Sequence, residues 1–289
     1  MRWLLLVWAL VACTPRPPAC PALPPVSQGS PFLWKVHKGD GPVLWLYGTV
    51  HDIAITGVPA PALAALDASA RFASELGDVD PDPDKIRART RYRSGQGIDQ
   101  LLPASDWYDL RDALAGTIKE DDLRRVRPWY ALILLNNRVA PGKPTSMDID
   151  LAKRARGKQL AVDALETWDE QMTALDKVVT VQDLAEAIHA RGSMRCEVDR
   201  LGAAYTTGDL ELMVQLLIVP RSADALLWSR NRAWQPALHK YLAEGGAFVA
   251  VGLGHLLGDN GLPAMLAHAG YTVERWPVLS SDPIDHAAN

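Results

Sequence analysis

Two segments of the chain carry one pattern, an apolar run followed by Gly-x-x-His. They are Gly48-Thr49-Val50-His51 and Gly252-Leu253-Gly254-His255. Each histidine follows what reads as a strand, and ligands of open α/β sheets bind beyond the carboxyl ends of strands. Glycine at a strand exit lets the backbone turn without a Cβ clash and aims the next side chain over the sheet edge. Glu75 closes a third apolar run, Arg71-Phe72-Ala73-Ser74-Glu75-Leu76. Two imidazoles and a carboxylate could hold a divalent cation with one position open to water. Such a cation lowers the pKa of its water and supplies a nucleophile for hydrolysis. Without a metal the same trio could act as general base and acid. The residue types do not separate these cases. His37, His189, His239, His268 and His286 lack this setting and are expected at the surface.

Other polar residues have two readings each. In the helical stretch around Arg230-Asn231, an apolar stripe runs through Leu227, Trp234 and Leu238, and Asn231 falls on it. A polar group on a packed face needs a partner. Arg230 and Asn231 therefore tie the helix to backbone, the reading periodicity favours, or line a site. Arg230 could hold a carboxylate or steady charge on a carbonyl oxygen. Asp148 and Asp150 precede a helix, and Glu166-Thr167 stands at a turn from strand into helix. Capping is the ordinary role there. Asp148, Glu166 and Asn231 are the further candidates for binding. The alternating acids Asp78, Asp80, Asp82 and Asp84 resemble a calcium loop, but proline replaces its glycine and Arg89 its closing Glu. Gly252, Gly254 and Gly258 have the wrong spacing for a dinucleotide loop.

Short β-like runs position these residues. Phe32–Val36 and Val43–Tyr47, split by Lys38-Gly39-Asp40-Gly41-Pro42, predict a hairpin. A helix over 59–70 and a strand over 71–76 follow. The middle is helical near 104–114, 119–139, 147–156, 167–176, 181–206, 209–217 and 222–244, broken by one strand at Gln159–Asp163. A strand at Ala247–Val251, a helix at Leu256–Ala269 and a strand at Tyr271–Trp276 close the pattern. This predicts an α/β fold. A mixed β-sheet is assembled from N- and C-terminal strand units and covered by a large helical insertion.

The 289 residues are 48% hydrophobic and 22% charged, which fits a globular core and excludes intrinsic disorder. A net charge of −4 argues against a nucleic-acid partner. Residues 1–12 join one Arg to an apolar run too short to span a bilayer. The run ends in Leu10-Val11-Ala12-Cys13, which resembles the bacterial lipobox and implies an acylated Cys13 at the mature N-terminus. An ordinary signal peptide with a chance cysteine is the other reading. Residues 13–30 are Pro-rich and read as a tether, 31–277 as the domain and 278–289 as a tail. The chain is thus expected in the bacterial cell envelope, held to a membrane by its lipid. Cys20 and Cys196 are too few for a disulfide framework and are expected to be free.

Taken together, the motifs resemble the TraB/GumN family, which includes the Tiki proteases. The resemblance rests on Phe32-Leu33-Trp34-Lys35-Val36, the two Gly-x-x-His units, Glu75, Arg127-Pro128-Trp129 and Met147-Asp148-x-Asp150. It extends to Leu165-Glu166-Thr167, Gly208-Asp209-Leu210, Arg230-Asn231-x-x-Trp234, Val251–Gly258 and Gly270-Tyr271-Thr272-Val273. Asp150 stands where His is frequent, and Ser146 where Gly is. The resemblance implies an erythromycin-esterase-like, haem-uptake-like fold. For the Tiki branch it implies metal-dependent peptide hydrolysis supported by manganese or cobalt. His51, Glu75 and His255 would be the metal ligands, zinc being a further choice of ion, with Glu75 catalytic and Arg230 assisting. A haem-binding module and a metal-independent ester hydrolase are the alternatives.

Overall fold

The computed structural model describes residue 20 and residues 31–51, 55–78, 80–93, 95–139 and 146–276. Cys13, the signal segment, the 278–289 tail and His286 lie outside them.

Six strands form one sheet: β1 (Leu33–His37), β2 (Leu44–Thr49), β3 (Arg71–Ser74), β4 (Ala161–Ala164), β5 (Ala247–Gly252) and β6 (Thr272–Arg275). Their order is β4-β3-β5-β2-β1-β6. The expected hairpin is β1–β2, antiparallel with Leu33 opposite Tyr47. β6 adds antiparallel to β1. β2, β5, β3 and β4 run parallel. β5, from the far end of the chain, lies between β2 and β3. Its residues Ala247–Val251 are all buried, which is why they form an unbroken apolar run rather than an alternating one.

The helices are α1 (Ala60–Asp67), α2 (Pro83–Thr90), α3 (Ile98–Leu101), α4 (Ala104–Ala113), α5 (Glu120–Leu123) and α6 (Pro128–Val139). Then follow α7 (Met147–Gly157), α8 (Trp168–Val178), α9 (Val181–Thr207), α10 (Leu210–Leu217) and α11 (Pro220–Ala223). A π turn at Asp224–Trp228 leads directly into α12 (Ser229–Ala243), and α13 is Leu262–His268. Two expected helices are divided. The 119–139 stretch breaks before Pro128, which has no N–H to give and so opens α6 rather than continuing α5. The 222–244 stretch holds the π turn, a one-residue change of register that apolar spacing does not reveal.

One hydrophobic core surrounds the sheet, built on Phe72, Phe248, Leu46 and Trp234 among others. The helical insertion does more than cover it. Ile98, Leu110, Leu123, Leu135, Leu184 and Ile188 form a second buried cluster. The cysteine expectation is corrected: Cys20 and Cys196 are disulfide-bonded, with Cα atoms 5.2 Å apart. The bond fastens Cys20 to the middle of α9, a pairing across 176 residues that sequence spacing does not reveal. No helix among the described residues is long and apolar enough to cross a membrane.

Candidate active site

Three neighbouring parallel strands deliver the three candidates. Glu75 follows β3, His255 lies in the turn after β5, and His51 follows β2. Thr49 pairs with Gly252, so the two Gly-x-x-His units leave the sheet side by side. Their first glycines are needed for close approach and not for a turn, since neither has a positive φ. A Cβ on Gly48 would fall 2.5 Å from Leu253 Cδ1, and one on Gly252 would fall 3.2 Å from Glu75 Oε1.

The same motif ends in opposite surroundings. His255 is 2% exposed, whereas the His51 side chain is 73% exposed. Behind the sheet ends, Asn231 donates its two amide protons to the carbonyls of His255 and Asn260, each at 3.0 Å. Its Oδ1 must then accept, at 2.7 Å, from His255 Nδ1. This fixes the tautomer and leaves His255 Nε2 as an acceptor, which meets Arg230 Nη1 at 3.0 Å. Asn231 therefore serves both readings, tying the helix to backbone and setting a histidine.

All five N–H groups of Arg230 are committed. Nη2 donates to Glu75 Oε2 at 2.6 Å and to Glu166 Oε1 at 2.5 Å. Nε donates to Glu166 Oε2 at 2.9 Å, and Nη1 also reaches the Leu226 carbonyl at 2.7 Å. Gln171 Nε2 and the Gly252 N–H, each at 2.9 Å, complete the shell of Glu75. The Trp234 ring packs on His255 and under the guanidinium.

Burial alone would raise the Glu75 pKa, but His255, Arg230 and the Gly252 N–H outweigh it and hold it at about 2. Burial pushes His255 down to about 4, with Glu75 opposing and Arg230 adding to the effect. His255 is thus neutral near pH 7, where Arg230 and the Gly252 N–H keep Glu75 ionised. Burial raises Glu166 against the pull of Arg230.

The capping expectation fails for three acids, Asp150 lying inside α7 beside Lys153. Ser146 caps α7, while Asp148 accepts from Thr49 Oγ1 at 2.5 Å and binds His51 Nδ1 at 2.8 Å. Thr167 caps α8 with Glu170, which leaves Glu166 to Arg230. His51, Glu75, Asp148 and Gln171 line a cavity of about 430 Å³, together with Arg156 and Trp168. Arg230, His255, Glu166 and Asn231 stand behind its wall. Arg156, Trp168 and Gln171 were not singled out in the sequence. Each lies on a helix face with ordinary spacing, and only the meeting of α7, α8 and the strand ends gives it a role.

A family model, that of the TraB/PrgY/gumN family, matches residues 32–275. The chain belongs to this family. Among curated proteins and solved structures none matches.

In this TraB/PrgY/gumN protein the proposed metal ligands share a neighbourhood, since His51 and His255 both act on Glu75 through charge. Glu75 Oε1 is 3.7 Å from His255 Nε2. A fixed guanidinium contacts both, however, and His255 does not reach the cavity wall. As arranged, the three side chains do not fit a divalent cation, because Arg230 takes the place of its charge.

Proposed function

We propose that this protein is a hydrolase of the cell envelope, acting on peptide-like carbonyl bonds with His51 as general base. The observation that carries the reading is the His51–Asp148 pair on the cavity wall. Asp148 binds Nδ1, so Nε2 is the nitrogen that exchanges protons. A water gives its proton to Nε2 as its oxygen attacks the carbonyl carbon. The imidazolium then passes that proton to the leaving nitrogen as the C–N bond breaks. Glu75, which lines the same cavity, stays ionised. Arg156, which lines the cavity and pairs with Asp78 at 3.3 Å, is the candidate for steadying the developing oxyanion. Arg230 is a positioning residue for Glu75.

Turnover of a quenched fluorescent peptide pool by the full chain tests this. Activity is expected to survive dialysis against a chelator and to fall about 10²–10⁴-fold in His51→Ala and Asp148→Asn. Activity lost to the chelator and regained with manganese, cobalt or zinc would return the metal-dependent reading on His51, Glu75 and His255. No turnover by the unaltered chain would overturn the hydrolase. The envelope assignment draws on the lipobox at Cys13 and on the Cys20–Cys196 bond, which suits an oxidising compartment. Detergent-phase partitioning should be lost in Cys13→Ala, and partitioning unchanged by that substitution would remove the anchor.

A further inference from the structure

A second cavity, of about 470 Å³, adjoins the first, and the two share Asp80, Pro81 and Trp168 as walls. Its far side is made by Ile86 and Arg89 of α2 and by Met172 of α8. Two features make this a built surface. Trp168 is the first residue of α8, whose end is fixed by the Thr167–Glu170 capping box. Arg89 ties α2 to α8, pairing through Nε with Asp169 at 3.0 Å and donating to Thr173 Oγ1. The proposed chemistry uses only the first cavity.

Each cavity falls within the roughly 300–1,000 Å³ of a small-ligand pocket. Two adjoining cavities that share Asp80, Pro81 and Trp168 as walls suit an elongated ligand better than a compact one. A tryptophan offers a broad apolar face with little conformational freedom to lose. We infer that the second cavity is a subsite for the part of a chain-like substrate that lies beyond the reacting bond, with Trp168 as the specificity-determining wall. The inference rests on the hydrolase reading for its substrate class, though not for the existence of the subsite.

Hydrogen exchange of the full chain, with a random octapeptide pool and with a random dipeptide pool, separates the two. Octapeptides are expected to slow exchange in 76–78 and 168–171 and also in 84–93, and dipeptides only in 76–78 and 168–171, which line the first cavity. In Trp168→Ala the protection of 84–93 should vanish. The KM for octapeptides should rise about tenfold more than that for dipeptides, with kcat little altered, and Trp168→Phe should restore most of the difference. Ile86→Asp reads the same subsite from α2 if Trp168→Ala does not fold. Octapeptide protection that spares 84–93 overturns the subsite even where cleavage proceeds. Protection of both regions without cleavage keeps the subsite and overturns the hydrolase.

Discussion

Arg230 is held among three groups of different need: an ionised Glu75, a Glu166 raised by burial, and a neutral His255. Side-chain exposures of 15% for Arg230 and Glu75 and 5% for Glu166 leave little solvent to share the charge. Removing the cation strands two carboxylates, which ordinarily costs about 3–5 kcal/mol. Arg230→Ala should therefore lower the free energy of unfolding measured in urea by that amount. Arg230→Lys should rescue only part of it, since one ammonium does not reproduce a planar fork. A second expectation concerns pH. His255 is held below its ordinary 6.5, so the folded state resists protonation there. Its contribution is complete above 6.5 and is lost as pH falls toward about 4. Glu75 is likewise depressed, from 4.5 to about 2, and its share is lost across that lower window. Stability should thus fall steadily on acidification below 6.5. The slope between 6.5 and 4 should flatten in His255→Gln, and an unchanged slope would refute the assignment.

Elements explain why the two Gly-x-x-His units diverge. β5 is central, and the turn after it packs on α10, α12 and α13, which closes over His255. β2 is also internal, yet its exit faces the cavity between α7 and α8, which leaves His51 open. The glycines can be separated by experiment. An added Cβ at Gly48 strikes buried Leu253, so Gly48→Ala should cost about 1–3 kcal/mol of stability. An added Cβ at Gly252 presses on the Glu75 carboxylate, so Gly252→Ala should reduce turnover more than it shifts the unfolding midpoint. Equal effects of the two substitutions on stability and turnover would contradict this division. The π turn belongs to the same scale. By widening the helix before Arg230 it opens the Leu226 carbonyl to the guanidinium.

At the scale of the whole molecule, the Cys20–Cys196 bond joins Cys20 to α9, in the helical half of the chain. A cross-link over so long a loop restricts the unfolded chain strongly, and its loss ordinarily costs about 2–4 kcal/mol. Cys20→Ser is expected to lower the midpoint of guanidinium unfolding accordingly, and a reductant should have no further effect on that variant. An unchanged midpoint would show that the bond adds nothing to the stability of the fold.

Much of this was legible in the residues themselves. Hydrophobic spacing marked six strand segments and the helical middle, and the repeated Gly-x-x-His with Glu75 marked three strand ends that the fold sets side by side. These signals are local, because an apolar run or a turn residue acts within a few positions of itself. Tertiary structure alone decided the rest. It placed β5 between β2 and β3, buried one histidine and exposed the other, and took Asp148 and Glu166 away from capping. It also set the Arg230 guanidinium against both Glu75 and His255 and joined two cysteines. Each of these turns on which distant groups share a small dry volume. Charge and hydrogen bonding there depend on the partners that the fold supplies, and not on neighbours along the chain.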